Sequence, residues 1–571
     1  MRTTFVSRVF GNSLKKKSFY FLIISATGAA TATYHLTANP HWLTSHTDRR
    51  SPLYYITTSL NGAVRSSRSL YTITANVVDY KCSLQGLSPD TDQYRTILSE
   101  VHLRSAKRIL NLCEINQGFY IKAGQFVASM RQVPKEYSST LASLQDQAVP
   151  CSFEAIKEVL ISNLGSDLNK IFVSIDEQPI AAASIAQVHR ALLKDHQEVV
   201  LKVQYPGLKD RMRMDIATMS FLSKCVTWFF PEYRFQWMVS EFSEVIALEL
   251  DFIQEARNSV RTAINFKHSS RIRVPDVFQE LTTSQVLTMQ YCKGRRVDDL
   301  EYIREMGIDP KKVAKVLVEA FAEMIFVHGF VHGDPHPGNI LVSSDEKQGF
   351  SLVLLDHGIY KSLDEEFRVN YCQLWKALIL LDSHKIQQVG QHFGIGKYAK
   401  YLPLIFTGRT INRDSKAALG DGMSVEEKTN LKQEVKSLTM GDISEFMESL
   451  PSQFLTVLRT DALIRSLTSK LGAPQRMRLL VYANFAFNGL SSNPDLDSQF
   501  ALRAVWNRIM SRVNYVQVRF LLGLLQLLSW LGDTRQVVIT WSKQVAFLIN
   551  QLIGMNSKMN FRRENLRHCN I

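Results

Sequence analysis

The stretch HGFVHGDPHPGNILV, residues 328–342, places its most polar side chains between two apolar runs. Asp334 and Asn339 stand five residues apart in it, and Pro335 and Pro337 fix the backbone φ between them. A carboxylate that orients an acceptor, followed five residues later by an amide oxygen that binds Mg²⁺, is typical of a phosphotransferase catalytic loop. The spacing therefore predicts Asp334 as the catalytic carboxylate and Asn339 as a metal ligand.

Two further parts of that chemistry stand in matching positions. Asp356 and Gly358 follow an apolar run at residues 350–355, where a second metal-binding aspartate is expected at the end of a strand. Lys202 lies within the run VVLKV, where a cation would position the phosphates of a nucleotide. Each feature alone is weak, because turn aspartates and strand lysines are common. Their order along the chain predicts a Mg²⁺-dependent enzyme that acts on ATP.

The strand lysine needs an anionic partner on a following helix, and residues 244–257 offer three carboxylates. These are Glu249, Asp251 and Glu255. No glycine-rich phosphate-binding motif precedes Lys202, and an alanine-rich segment stands in its place. The backbone N–H groups of alanine can bind phosphate, although its Cβ excludes the positive φ that glycine adopts. A tight helix–strand packing run is the alternative to nucleotide contact for this segment. Its members are Ala181, Ala182, Ala183 and Ser184.

The elements that must position these residues follow from hydrophobic periodicity. Apolar residues recur at threes and fours over 93–147, which predicts helices. Residues 187–193 and 199–205 are β-branched runs joined by a polar turn, which predicts a hairpin. An amphipathic helix is predicted over 311–327, and helices again beyond Asp364. This order predicts an α+β, bilobal protein-kinase-like fold with an N-terminal helical extension and a mainly helical C-terminal region.

The amino-acid composition limits the classes of binding partner that are expected. The chain of 571 residues is too long for one core, and its net charge of +14 favours anionic partners such as nucleotides and phospholipid surfaces. No Lys/Arg tract is longer than Lys15–Lys17, which argues against a nucleic-acid partner. The seven cysteines lie far apart and form no CxxC pair, which argues against a zinc site or a disulfide framework.

The first 47 residues contain no Asp or Glu, while Arg2, Arg8 and Lys15–Lys17 are interleaved with Ser and Thr. This composition is typical of a mitochondrial transit peptide. Residues 19–34 are apolar and of marginal length for a transmembrane helix. We therefore expect a mitochondrial protein, held at the inner membrane by an N-terminal anchor. A longer transit sequence or a secretory signal are the alternatives.

Near the other end, residues 514–553 contain two apolar stretches with helical spacing. Neither has enough uninterrupted apolar residues to span a bilayer, so core helices or interfacial helices are expected.

Four motifs together give a specific resemblance. The chain has KAGQ at 122–125, AAAS at 181–184, ELD at 249–251 and HGDPHPGN at 332–339. In this set the sequence resembles the UbiB or aarF-domain-containing atypical kinases, with the similarity spanning about Tyr94 to Gly408. It looks most like the mitochondrial aarF-domain-containing kinase 1 and 5 subgroup.

The resemblance implies roles for the residues already singled out. Lys202 would contact the nucleotide phosphates and pair with Glu255. Asp356 and Asn339 would bind Mg²⁺, and Asp334 would act as the catalytic-loop carboxylate.

It also implies that Lys122 and Gln125 lie over the active site, with Lys122 reaching Glu249 or Asp251. Such an occluding helix suits ATP hydrolysis, or action on a membrane lipid or lipid-like small molecule, better than phosphorylation of a protein.

The expected function is therefore that of an ATP- and Mg²⁺-dependent ATPase or small-molecule kinase that supports mitochondrial lipid or coenzyme Q homeostasis. A pseudokinase scaffold and a protein serine/threonine kinase are the alternatives. His357 occupies the position of the Phe in the kinase DFG motif, where a packing or hydrogen-bonding role is expected and a pH-sensitive role is the alternative.

The predicted domain organisation has seven parts. These are a transit region (1–17), a candidate transmembrane anchor (18–36), a linker (37–92), the helical KxGQ extension (93–150), a kinase-like N-lobe (151–293), a kinase-like C-lobe (294–410) and a C-terminal helical region (411–571).

Overall fold

A computed structural model provides the fold. It describes residues 52–88, 91–129, 133–146, 150–230, 236–345, 349–408 and 440–491, together with residues 516 and 520. The expected transit region, the candidate anchor and, apart from those two residues, the apolar stretches of 514–553 lie outside the described residues. None of the described helices combines the length and apolar composition that a membrane-crossing segment requires.

Among the described residues, four helices precede the first strand and its neighbouring helix. They are α1 (Pro52–Ser83), α2 (Asp92–Asn116), α3 (Phe119–Ser129) and α4 (Lys135–Leu141), followed by a 3₁₀ turn at Ala142–Asp146. The hydroxyl of Thr91 caps α2 by accepting a hydrogen bond from the Tyr94 N–H. These helices form the KxGQ extension that the helical periodicity predicted.

The segment expected as a linker over 37–92 is a packed helix in its described part, and the linker prediction is wrong there. Helix α1 buries Val64 and the charged Arg65. The Arg65 Nε donates to Asp215 Oδ1 at 3.1 Å, and its Nη1 donates to the Asn116 carbonyl oxygen. Small and hydroxylated residues dominate the face of α1 around these contacts. Helix packing is usually inferred from an apolar stripe, and this face has none.

The N-lobe is built on a five-stranded sheet. Its strands are β1 (Phe172–Ile175), β2 (Ala181–Ala182), β3 (Ala186–Leu193), β4 (Glu198–Gln204) and β6 (Val286–Gln290). The order is β1-β3-β4-β6, with β2 paired to β3, and all these pairings are antiparallel. The hairpin predicted over 187–205 is therefore confirmed.

Strand β4 is buried along almost its whole length because both faces of the sheet are covered. Val199, Leu201 and Val203 pack in one apolar cluster beside α5 (Phe153–Leu164). Val200 packs in the other cluster, with residues of α3. Since successive strand residues point to opposite faces, Lys202 shares the face of Val200.

Three helices separate β4 from the remaining strands. They are α6 (Leu208–Phe229), α7 (Gln236–Glu249) and α8 (Phe252–Asn265). The span 244–257, where an anionic partner for Lys202 was expected, is divided between the end of α7 and the start of α8.

Up to residue 408, the described part of the C-lobe contains two small sheets and five helices. A four-stranded sheet has the order β5 (Ile272–Arg273), β10 (Gly349–Leu354), β9 (Ile340–Asp345) and β7 (Arg295–Arg296). A two-stranded sheet pairs β8 (Phe330–His332) with β11 (Tyr360–Ser362). The helices are α9 (Leu300–Glu305), α10 (Pro310–Glu323), α11 (Glu365–Leu380), α12 (Ser383–His392) and α13 (Leu402–Thr407). Strand β5 therefore joins the C-lobe sheet, although the predicted N-lobe extended to residue 293.

The described part of the C-terminal region is helical, as predicted, but it is not a separate unit. Helices α14 (Met440–Ser449), α15 (Ser452–Lys470) and α16 (Gln475–Ser491) share one apolar core with α10 and α11. Phe454 and Tyr482 are fully buried there against Trp375 and Phe406. The predicted boundary at residue 410 is wrong for this reason: the C-lobe core is completed by side chains that follow it.

Candidate active site

The hairpin of β9 and β10 brings two predicted metal ligands to one end of a sheet. Asn339 directly precedes β9, and Asp356 follows β10. The strands are antiparallel, with Leu354 opposite Ile340, and the Leu355 N–H donates to the Asn339 carbonyl oxygen at 2.9 Å. Residues that precede one strand and follow its antiparallel partner lie at the same edge, so both side chains are carried to the cleft between the lobes.

The catalytic-loop spacing has a structural reason. A 3₁₀ turn at Pro337–Asn339 brings the chain back so that the Asn339 Nδ2 donates to the Asp334 carbonyl oxygen at 3.1 Å. The Asp334 N–H donates to His332 Nδ1 at 3.0 Å. These bonds fix the loop on both sides of the Asp334 carboxylate, which remains partly exposed.

Lys202 bridges the two lobes. Its Nζ lies 2.7 Å from Glu255 Oε1 on α8 and 2.8 Å from Asp356 Oδ2. Of the three carboxylates that the sequence offered, the structure brings Glu255 to the lysine. The N-lobe sheet, helix α8 and the C-lobe hairpin thus meet at one ammonium group.

The carboxylates of this cluster differ in proton affinity. Burial raises the pKa of Glu255 to about 7, although the Lys202 ammonium opposes the shift. Burial also acts on Asp356, but Lys202 and the Gly358 N–H hold the pKa of that carboxyl well below its usual range. Burial would lower the pKa of Lys202, yet the Asp356 and Glu255 carboxylates raise it. Lys202 and Asp356 are therefore held in their charged forms, whereas burial favours the neutral form of Glu255.

The KxGQ helix α3 lies against this cleft. Lys122 Nζ is 2.8 Å from Glu249 Oε1, and the lysine also feels the charges of Asp334 and Asp356. Burial raises the pKa of Glu249, an effect that Lys122 opposes. Of the two partners that the resemblance implied for Lys122, the structure brings Glu249 to it.

Asp251 has a different place. Its exposed side chain caps α8 by accepting hydrogen bonds from the N–H groups of Ile253 and Gln254 at 3.1 and 3.2 Å. The occluding contact predicted as an alternative for Asp251 is therefore not formed.

The other residues of the KxGQ motif hold the helix in position. A Cβ on Gly124 would overlap Leu144 Cδ1 and lie 3.2 Å from Cys113 Sγ. Gln125 donates through Nε2 to the Leu144 carbonyl oxygen at 2.8 Å. Gly124 permits the close packing of α3, and Gln125 binds the 3₁₀ turn at Ala142–Asp146. Together they hold Lys122 at the cleft.

The alanine-rich segment forms a tight turn between β2 and β3. The Ala183 N–H donates to the Ala186 carbonyl oxygen at 2.8 Å, and the Tyr205 hydroxyl donates to the Ala183 carbonyl oxygen at 3.0 Å. All four predicted residues are at least partly exposed. These are Ala181, Ala182, Ala183 and Ser184. Nucleotide contact by this turn stays a prediction.

His357 is buried and neutral. Burial lowers its pKa to about 3. Its Nδ1 lies 3.0 Å from the Tyr360 hydroxyl and its Nε2 lies 3.1 Å from the Leu354 carbonyl oxygen, and its ring stacks on Tyr360. The packing and hydrogen-bonding role fits this environment, and a pH-sensitive role near neutrality does not.

Two residues around the site were not found from the sequence. The first is Asn258, whose Nδ2 donates to the His357 carbonyl oxygen at 3.0 Å. Arg459, from α15, places Nη2 3.8 Å from Asp334 Oδ1. Arg459 carries no local motif, so only the tertiary structure reveals it.

The residues present fit a Mg²⁺-nucleotide. Mg²⁺ is typically held by one or two protein oxygens together with substrate phosphates and water. Asp356 and Asn339 would supply such oxygens, since the Asn339 amide nitrogen is engaged with the catalytic loop. Within the described ranges no group of three or more His, Cys, Asp or Glu side chains is arranged to hold a metal by itself.

Comparison with known proteins gives consistent results. Residues 143–390 match the family model described as the ABC1 atypical kinase-like domain. The AarF domain-containing protein kinase 1 of Xenopus tropicalis is 38% identical over 414 residues, which is 72% of this chain and 79% of the relative. The AarF domain-containing kinase 1 of Drosophila melanogaster is 36% identical over 420 residues, covering 73% and 81%.

A third relative and a solved structure complete the comparison. A probable serine/threonine-protein kinase, abkD, of Dictyostelium discoideum is 36% identical over 452 residues, covering 78% of this chain and 64% of the relative. The solved complex of Rv3197 with erythromycin from Mycobacterium tuberculosis covers 67% of this chain and 97% of its own, at 22% identity and a TM-score of 0.43. On the identity and coverage of its relatives, the chain belongs to the AarF domain-containing, or ABC1, family of atypical kinases.

Proposed function

We propose that this protein binds a Mg²⁺–ATP complex between its lobes and transfers or hydrolyses the terminal phosphate. The observation that carries the proposal is the bridge made by Lys202, whose Nζ lies within 2.8 Å of both Glu255 and Asp356. A lysine–glutamate pair between a strand and a helix, beside an aspartate that ends a strand, is the arrangement that kinases use to hold nucleotide phosphates.

Each residue of the cleft would have its own role in the reaction. Lys202 would bind the phosphates, releasing Asp356 from its present contact. Asp334 would orient the attacking oxygen and accept its proton. Mg²⁺, held by Asp356 and Asn339, would neutralise charge on the phosphates when bound.

We further propose that the acceptor is water or a small molecule, such as a lipid-like compound, and that the activity supports mitochondrial lipid or coenzyme Q homeostasis. The contact of Lys122 with Glu249 supports a small acceptor, because α3 lies against the cleft that a peptide would have to enter. Phosphate release by the purified protein without any acceptor, and its change on adding vesicles that contain anionic phospholipid, would test this. A protein that labels polypeptides and releases no phosphate would contradict it.

The acid-free N-terminal segment supports a further proposal, that the protein resides in mitochondria and is held at the inner membrane. Fractionation of cells that express the full chain with a C-terminal tag tests this proposal. Recovery of the tag outside the mitochondrial membrane fraction would contradict it.

The decisive experiment for the nucleotide site is Asp356→Asn in the full-length protein. The amide keeps the shape but loses the charge that pairs with Lys202 and would bind Mg²⁺. We expect Mg²⁺-dependent ATP binding to weaken at least about tenfold, because a ligand charge is removed from the cation site. Asp92→Asn is the matched control, since the Asp92 side chain is 99% exposed on α2. Unchanged binding and turnover in Asp356→Asn would refute the proposed function.

A further inference from the structure

Arg459 is held beside the catalytic loop by its neighbours on α15. The hydroxyl of Thr460 donates to the His332 carbonyl oxygen at 3.3 Å. One turn earlier, Thr456 lies next to the loop, where a Cβ on Gly333 would be in ordinary contact with its Cγ2 at 3.6 Å. These contacts fix the register of α15 on the residues that directly precede Asp334.

The Arg459 guanidinium reaches three parts of the molecule. Arg459 belongs to helix α15. Its Nη2 is 3.8 Å from Asp334 Oδ1, and its Cζ is 5.4 Å from the ring centroid of Phe126 on the KxGQ helix. The ring contact is a cation–π interaction that holds the guanidinium plane without using its hydrogen-bond donors. The side chain is 23% exposed, so it faces the cleft and is not enclosed in the core.

The donors of this guanidinium are not used up. A separation of 3.8 Å from Asp334 is too long for a hydrogen bond. The Arg459 Nε is buried and has no hydrogen-bond partner among the described residues. Leaving a buried charged donor unsatisfied is costly, which is the condition expected of a group that binds a ligand.

The other cations near Asp334 are already engaged. Lys202 is paired with Glu255 and Asp356, and Lys122 is paired with Glu249. His336 lies two residues after Asp334, but burial lowers its pKa, so it adds little positive charge at neutral pH.

The chemistry of phosphate transfer needs such a cation. As the bond from the terminal phosphorus to the leaving nucleoside diphosphate breaks, a bond forms to the oxygen of water or of an acceptor hydroxyl, whose proton passes to Asp334. Negative charge shifts on the oxygens of the group in transit, and an arginine that donates to them accelerates the reaction. We propose that Arg459 is a catalytic residue that donates hydrogen bonds to the transferred phosphoryl group. This inference rests on the proposed function and adds a residue from outside the kinase motifs.

The test compares Arg459→Gln and Arg459→Lys in the full-length protein. Lys470→Gln is the control, because Lys470 is on the same helix with a side chain that is 59% exposed. Three quantities are measured: the affinity for Mg²⁺–ADP, the increase of that affinity (tightening) when aluminium fluoride is added, and the rate of phosphate release. Aluminium fluoride mimics the transferred phosphoryl group. A residue that acts only in the transition state leaves the Mg²⁺–ADP affinity within about threefold of wild type. We expect Arg459→Gln to lose the tightening and about 10²–10³-fold in turnover, as for other removed transition-state donors.

Arg459→Lys retains the charge without the planar fork and should recover only part of the tightening. Equal tightening and turnover in wild type and Arg459→Gln would overturn the inference while leaving the nucleotide site intact. A parallel loss of Mg²⁺–ADP affinity in both Arg459 variants would also overturn it, because it would show a structural role. A wild-type protein that neither binds Mg²⁺–ADP nor shows tightening would instead refute the proposed function, and the inference with it.

Discussion

At the scale of single residues, Lys202 has two anionic partners with different proton affinities. Asp356 stays ionised because its pKa is held low, whereas burial raises the pKa of Glu255 to about 7. The lysine can therefore lose one partner by protonation close to physiological pH while the other keeps its charge.

Protonation of Glu255 should be visible in stability. A carboxyl whose folded pKa is raised binds its proton more tightly when folded, so it stabilises most below its unfolded value of 4.5 and loses that contribution as pH rises to about 7. The free energy of unfolding of wild type should therefore fall between pH 5 and 7.5 relative to Glu255→Gln, which cannot ionise. Denaturant unfolding of both proteins across this range measures it. A difference that is constant with pH would contradict the prediction.

Spacing along the chain singled out Lys202, Asp334, Asn339 and Asp356, because each lies in or next to a short element with a local sequence signal. Their roles in binding and catalysis stay predictions. Spacing could not choose among the three carboxylates of 244–257. That choice depends on where one helix ends and the next begins, and Asp251 is used to cap α8. Arg459 was missed because its approach to Asp334 depends on helix packing far along the chain.

At the scale of elements, helix α1 shows how a buried ion pair can attach a helix that lacks a clear apolar stripe. The Arg65 Nη2 lies 2.5 Å from Asp215 Oδ2, and both side chains are almost fully buried. Ser69 continues the contact by donating to the Tyr120 hydroxyl at 2.7 Å. Through Tyr120, α1 is connected to the helix that carries Lys122.

Breaking this pair should release α1. Arg65→Met leaves Asp215 buried without its partner, which we expect to cost about 3–5 kcal/mol of stability. Replacing both residues, with Asp215→Leu added, should recover much of the loss because no uncompensated charge remains. Thermal unfolding and limited proteolysis of α1 are the measurements.

The control for that experiment is Arg104→Gln. Arg104 of α2 pairs with Asp79 of α1, but it is 43% exposed, and exposed pairs contribute only about 0–1 kcal/mol. A similar loss in Arg65→Met and Arg104→Gln would argue against a special role for the buried pair.

At the scale of the whole molecule, the β3–β4 hairpin of the N-lobe and strand β10 of the C-lobe were predictable because alternation and turn residues are local signals. The extent of the C-lobe was not. Helices α14–α16 have apolar faces that fit either a separate bundle or an existing core, and only the packing of Phe454 and Tyr482 against Trp375 and Phe406 decides it.

A chain that ends at residue 410 should therefore not fold. It would expose the face of the C-lobe core that α14–α16 cover, which we expect to abolish cooperative unfolding and soluble expression, since large buried side chains would lose their partners. A chain that ends at residue 491 retains that core and serves as the comparison. Equal soluble yield and equally sharp thermal transitions for the two fragments would contradict this expectation.

The position of α15 also has a consequence for biosynthesis. The helix that fixes the catalytic loop through Thr460, and that brings Arg459 to Asp334, is translated well after every kinase motif has left the ribosome. Until α15 has emerged, a nascent chain therefore has neither of these two contacts at its catalytic loop.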